Sequence, residues 1–273
     1  MRSIPILNTI FCFIKRDFLL TVTYKTAFIS QLLTILIAVT SFYYIGEVAS
    51  GVTHPSIREY ENNYFAFLLI GVALIDYMLV SLTIFNASIR ENQMMGTLEI
   101  LLLSPMKLSY ILLFSSLWAY IFTTFRLLLG FIFSILIFGL DIGKANIVSS
   151  AVVLVLSILC FVPLGIISAT TVVLFKKGDW FKMFLSGLSF LFSGVAYPVS
   201  VLPAWLASLS FYIPMTHSLH GMRQALLRGD SLRDLFPEIA FLLVFSIVTM
   251  PLSLLSFRFA INKTKQTGSL SHY

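Results

Sequence analysis

The chain has 273 residues, 58% of them hydrophobic and 11% charged, with 26 Phe and a formal net charge of +6. A water-soluble domain of this size has too little interior to hide that much apolar surface, whereas a bilayer solvates it. This excludes a soluble enzyme and leaves no room here for a separate soluble catalytic domain, so the positive charge is read by its position along membrane segments, and no nucleic-acid partner is expected.

The first predicted element is an interfacial amphipathic helix over residues 3–22. Its apolar run, Ile4 to Ile14, is broken by Lys15, Arg16 and Asp17 and lacks a small-x-small cleavage pattern, unlike a signal peptide. Asn8, Cys12, Lys15 and Arg16 share one side, which suits a helix lying along the cytosolic leaflet with its basic face on lipid headgroups. A frayed extension of the first span is the alternative.

Six segments then approach or exceed the roughly 20 apolar residues that a helical crossing needs: Ala27–Gly46, Tyr64–Ile89, Tyr110–Phe138, Ile147–Phe175, Phe181–Tyr197 and Phe236–Phe257. The expected fold is an all-α membrane protein with six transmembrane helices and both termini on one side. Twelve basic residues (Arg2, Lys15, Arg16, Lys25, Arg90, Lys107, Lys176, Lys177, Lys182, Arg258, Lys263 and Lys265) then share the side of the termini, against five (Arg58, Lys144, Arg223, Arg228 and Arg233) opposite. The positive-inside rule makes the first side cytoplasmic. Residues 262–273 are polar and read as a cytosolic tail. The two cysteines, Cys12 and Cys160, fall in different apolar settings and read as small fillers without a disulfide or metal spacing.

Between the second and third spans, residues 90–105 form a short amphipathic helix bounded by charge and by Pro105. Met94, Met95, Leu98, Leu101 and Leu102 share one face, and Asn92, Gly96 and Glu99 share another. Gly96 costs about 1 kcal/mol relative to Ala inside a helix, a cost that close approach of another surface explains. A plain interfacial linker is the bland alternative to a docking helix.

Three further features stand out. Asp76 and Arg126 lie within spans, where a charge costs a few kcal/mol and faces a partner or a cavity. Counting from the span ends offsets them by roughly 10 Å at about 1.5 Å per residue, a gap that a long Arg side chain covers in part. They read as an interhelical ion pair that only holds helices together, or as contacts for a polar headgroup in transit. Ser186, Gly187, Ser189, Ser193 and Gly194 give the fifth span a small-residue face, for packing within the chain or against a second copy. Pro163 and Gly165 interrupt the fourth span as a bend or hinge.

The outer segment 198–233 is too apolar for an ordinary loop, and its prolines cut it into pieces too short to cross. It reads as outer re-entrant helices, because irregular backbone is tolerated at depth only against protein or a watery cavity. His217 and His220 are spaced for one helix face, but no third ligand is near in sequence and Arg223 repels a cation, so no metal site is expected. No catalytic constellation is present: there is no H-E-x-x-H, and no G-x-x-x-x-G-K-[ST] phosphate loop.

The run Glu91-x4-Gly96-Thr97-Leu98-Glu99-x-Leu101-Leu102-x-Ser104-Pro105 resembles the segment after the second span of ABC-2 type permeases, the membrane subunits of ATP-binding-cassette exporters. The resemblance extends over nearly the whole chain, and Tyr197-Pro198-x4-Pro203-x-Trp205 with Pro214 and Arg223 is similar to that family's outer segment. The resemblance implies a permease that is not itself an enzyme, working with two separate ATPase subunits that hold ATP and Mg, and with a second copy or a paralogue of itself. It implies a coupling helix whose contacts include Glu91, Asn92, Gly96, Thr97 and Glu99, and an outer gate shaped by Pro198, Pro203, Trp205, Pro214 and Arg223. The cargo expected is amphipathic, drug-like or lipid-linked, moved outward across the cell (inner) membrane among membrane lipids. Polysaccharide or glycolipid export by the same family, and ion-coupled secondary transport, stay open at this stage.

Overall fold

The structure is a computed structural model that describes residues 6–23, 25–50, 63–94, 108–175 and 179–266. Among these, nine α-helices and no strand are present: α1 (Ile6–Thr23), α2 (Lys25–Ser50), α3 (Tyr64–Met94), α4 (Leu108–Phe138), α5 (Ile147–Phe175), α6 (Asp179–Phe192), α7 (Ala204–Ser210), α8 (Pro214–Arg223) and α9 (Phe236–Gln266). A short 3₁₀ turn precedes α7, and α8 runs on into a π-helical turn over Gln224–Arg228. Local chemistry sets several starts. The Asn63 side-chain oxygen accepts the Ala66 N–H at 3.0 Å and that of Asn146 accepts the Ser149 N–H at 3.1 Å, which are N-caps for α3 and α5. Pro214 opens α8, where its missing N–H costs nothing. Gly229, at φ +77°, turns the chain out of the π segment.

α3 is apolar on every side and forms the centre with α5. In its membrane window 72% of residues are buried within the chain, against 6% for α2 and 11% for α9, which therefore leave broad apolar faces for lipid or another subunit. The core gathers Phe67, Tyr77, Phe85 and Ile89 of α3 with Phe161 and Val172 of α5 and Phe257 of α9. Two close approaches fix this packing. A Cβ on Gly165 of α5 would lie 2.2 Å from the Ser81 carbonyl oxygen of α3, and one on Gly71 would lie 2.2 Å from the Val195 carbonyl oxygen.

Several buried hydroxyls are satisfied internally. Tyr120 of α4 donates to Ser81 Oγ at 2.8 Å, Ser81 donates to its own helix at Tyr77 O, and Asn86 Nδ2 donates to Ser168 Oγ of α5 at 2.8 Å. Tyr120→Phe removes one such bond while leaving Ser81 its helix carbonyl. We expect a loss of about 1 kcal/mol, read as a small drop in the thermal midpoint of the chain in mild detergent.

α1 packs on α4 through Phe13 on Phe114, Phe18 on Trp118, and a hydrogen bond from the Trp118 indole N–H to Thr21 Oγ1 of 3.0 Å. Its Lys15 and Arg16 are exposed.

Several boundaries differ from expectation. Among the described residues, five helices are long and apolar enough to cross a membrane. The fifth expected span, Phe181–Tyr197, is instead a helix of 14 residues, Asp179–Phe192. At about 1.5 Å per residue it is roughly 21 Å long, short of a hydrocarbon core about 30 Å thick. Gly194, at φ +79°, ends the helical course, and Arg223 holds the carbonyls of the turn that follows. Residues 262–266, expected in the tail, complete α9, and residues 90–94, expected in the coupling helix, complete α3. The remainder of both segments lies outside the described residues, as does most of the outer loop between α2 and α3.

Candidate functional site

Among the concavities of the described residues, two have charged side chains in their lining. The first is a groove of about 480 Å³ where α2, α3 and α4 meet. Asp76 lies twelve residues beyond Tyr64 on α3, and Arg126 lies twelve residues before Phe138 on the antiparallel α4. Both are thus about 18 Å from the same end of the bundle at 1.5 Å per residue. The expected 10 Å offset is not seen: counted from the other ends, Met94 and Leu108, each charge again lies eighteen residues in. Arg126 Nη2 donates to Asp76 Oδ2 at 2.6 Å, with side-chain exposures of 31% and 33%. The pair is therefore formed, yet a third of each side chain opens to the groove. The buried Arg126 Nε has no acceptor among the described residues. On the α2 wall Ser30, Gln31 and Thr34 precede Ile35, Val39 and Phe42, so the lining passes from polar to apolar toward the Ser50 end.

The second concavity, about 320 Å³, lies where the 198–233 segment folds onto α3 and α9. Its floor is Arg223, 4% exposed. Nη1 donates to Gly194 O at 2.8 Å, and Nη2 donates to Val195 O at 3.0 Å and Phe67 O at 3.1 Å. The guanidinium carbon stands 3.3 Å from the centroid of the Phe67 ring. One cation thus joins α8, the turn after α6, and the first turns of α3. The planar fork of five N–H donors suits such a cluster of carbonyls, and a Lys ammonium does not.

The two histidines take separate partners. His217 stacks on Phe241 of α9 at 3.8 Å, and its Nε2–H donates to Phe211 O at 2.9 Å. His220 Nδ1–H donates to Glu238 Oε1 of α9 at 2.9 Å. Among the described residues no group of three or more His, Cys, Asp and Glu is placed to hold a metal ion. Asp234, in the turn before α9, accepts from the Ser231 N–H and hydroxyl, which holds its carboxyl below the usual range.

The expected gate residues divide. Pro198 and Arg223 line this cavity and Pro214 is buried at the start of α8, whereas Pro203 and Trp205 at the start of α7 are exposed, Trp205 by 68%. Ser189 and Ser193 are buried within the chain, while Gly187 faces open space. Glu91 is exposed near the end of α3. Asn92 belongs to the last turn of α3, but its side chain lies outside the described residues, as do Gly96, Thr97 and Glu99 entirely. Sequence reasoning missed Gly71, Glu238 and Phe241. The signal for Gly71 was an isolated glycine inside an apolar helix, which marks a close approach. Glu238 sits where Phe236 and Pro237 announced only a helix start.

A family model described as ABC-2 type transporter matches residues 10–227. No curated protein matches the chain.

Proposed function

The chain belongs to the ABC-2 type transporter family, and from that footing we propose that it is the permease subunit of an exporter driven by ATP hydrolysis on separate subunits. As a member it is a multi-pass membrane component of a transporter, and the family implies an ABC ATPase partner. The finer reading is ours. Two ATPases bind a pair of permeases, this chain with a second copy or a paralogue, in the cell (inner) membrane with both termini cytoplasmic. Mg and ATP are held by the partners. The cargo is amphipathic, drug-like or lipid-linked, and it leaves outward past Pro198, Pro203, Trp205, Pro214 and Arg223.

The observation that carries this reading is the continuity of α3. Its 31 residues, Tyr64–Met94, form one rod that carries Glu91 of the expected coupling segment 90–105, Asp76 in the groove and Phe67 beneath Arg223. A helix transmits a displacement at one end to the other, because its packed core has discrete rather than elastic arrangements. Closure of the ATPases on Glu91, Asn92, Gly96, Thr97 and Glu99 therefore acts on both concavities together, opening one as it closes the other. Asp76 and Arg126 supply the polar step along an otherwise apolar path.

The test is the energy source. In proteoliposomes containing the chain with its ATPases, efflux of a fluorescent amphiphile is expected to require Mg-ATP and to persist when proton and sodium gradients are collapsed. Efflux that follows a gradient without ATP would make the chain an ion-coupled transporter.

A further inference from the structure

We propose that the groove between α2, α3 and α4 selects a zwitterionic phospholipid, with the phosphate on Arg126 and the ammonium on Asp76. In taking the groove as part of the substrate path, this inference rests on the reading above and adds the class of amphiphile.

Three observations lead there. The ion pair is made through one contact of 2.6 Å between Nη2 and Oδ2. A guanidinium has five N–H donors and binds phosphate side-on through two of them, whereas the contact with Asp76 is made at Nη2 and leaves 31% of the Arg126 side chain open to the groove. The pair is thus only partly consumed by itself. Next, each charge is about one-third exposed within the membrane-spanning part of the bundle, where a charge is costly and faces a partner or a watery cavity. An anion alone would meet Asp76, and a cation alone would meet Arg126. A group carrying both charges, a phosphate beside an ammonium, meets each with its opposite and leaves the site neutral.

The third observation is the shape. Beyond the pair the groove continues between Val39, Leu69 and Phe131, a wall for the first part of an acyl chain. Ile37, Tyr44 and Val48, which follow one another toward the Ser50 end of α2, are each more than half exposed. That stripe receives the rest of the lipid without a second closed pocket.

The test reads headgroup preference on the full-length chain. The chain is purified in mild detergent and exchanged with mixed micelles of equal parts phosphatidylethanolamine, phosphatidylglycerol and diacylglycerol. Retained lipid is then counted by native mass spectrometry. The expected result is retention of phosphatidylethanolamine about tenfold over phosphatidylglycerol, equivalent to 1.4 kcal/mol, with diacylglycerol lost. D76N is expected to bring the two phospholipids to parity, and R126Q to lose both. A73F fills the groove while keeping both charged residues in the chain and is expected to lose all retention. Should the variants fail to fold, the unmodified chain still decides: short-chain phosphatidylethanolamine raises its thermal midpoint and short-chain phosphatidylglycerol does not. Equal retention of all three lipids by the unmodified chain, or an unchanged preference in folded D76N, overturns the inference. Because retention is measured without the ATPases, a headgroup preference in a chain with no ATPase partner would sink the exporter reading alone. ATP-driven efflux with no preference would sink this inference alone.

Discussion

Arg223→Leu is expected to destabilise the chain by on the order of 3–5 kcal/mol, the loss of three buried hydrogen bonds from a charged donor at about 1.5 kcal/mol or more each, and to release the segment between α6 and α9. The side chain is 4% exposed and satisfies the carbonyls of Gly194, Val195 and Phe67, while its face covers the Phe67 ring. Leucine restores volume but leaves three carbonyls without these donors, and an unsatisfied buried polar group costs about 1–3 kcal/mol. Arg223→Lys should rescue little, because an ammonium is a point donor that cannot span carbonyls on two elements. The internal control is Arg228→Leu. Arg228 sits on the surface, 3.6 Å from Asp230, and exposed pairs contribute at most about 1 kcal/mol. Thermal midpoints in detergent, with limited proteolysis near Tyr197, give the comparison. Equal midpoints for the Arg223 and Arg228 variants would remove Arg223 as the tie between the outer segment and α3.

The glycines supply the second large effect, with opposite signs at different positions. Gly165→Ala puts a methyl 2.2 Å from Ser81 O and 2.6 Å from Phe85 Cδ2, so α5 must move away from α3. Overpacking of this kind costs typically about 1–3 kcal/mol, and Gly165→Leu more. Gly71→Ala meets Val195 O at 2.2 Å and Arg223 Nη2 at 3.0 Å, and should loosen the outer turn together with the helix pair. At Gly187 a methyl meets nothing within 4 Å, so Gly187→Ala should be neutral or should stabilise α6 by up to about 1 kcal/mol through propensity alone. The three midpoints should therefore split around the parent value. A uniform response would mean that α3 and α5 are not held at that crossing.

These two results concern positions that the sequence reveals unequally. Hydropathy alone finds the long helices, and Ile147–Phe175 is found with the same bounds, because length and apolar content are local properties. It fails at Phe181–Tyr197. That segment is apolar enough to read as a crossing, but the left-handed turn at Gly194 is stabilised by an arginine 29 residues away. Asp76 and Arg126 stand out because charges inside spans are costly, and their pairing follows. The offset expected between them does not hold, since it was counted from the ends of the two helices that the sequence misplaces, Met94 and Leu108. Arg223 is visible in the sequence as one member of an outer motif, while its bond to Phe67 spans 156 residues and has no local trace. The histidines share one helix face in the sequence, yet each takes its own partner on α9, a stack on Phe241 for His217 and a bond to Glu238 for His220.

The central claim is that the segment following α3 couples this permease to an ATPase. The direct measurement is co-purification of the full-length chain with the ATP-binding-cassette subunits expressed beside it, for the unmodified chain and for variants with Gly96→Trp or Glu99→Lys. The account predicts a stable complex for the unmodified chain and loss of the ATPase in both variants, with the variants' thermal midpoints unchanged. A well-folded unmodified chain that retains no ATPase, or variants that retain it fully, would contradict it.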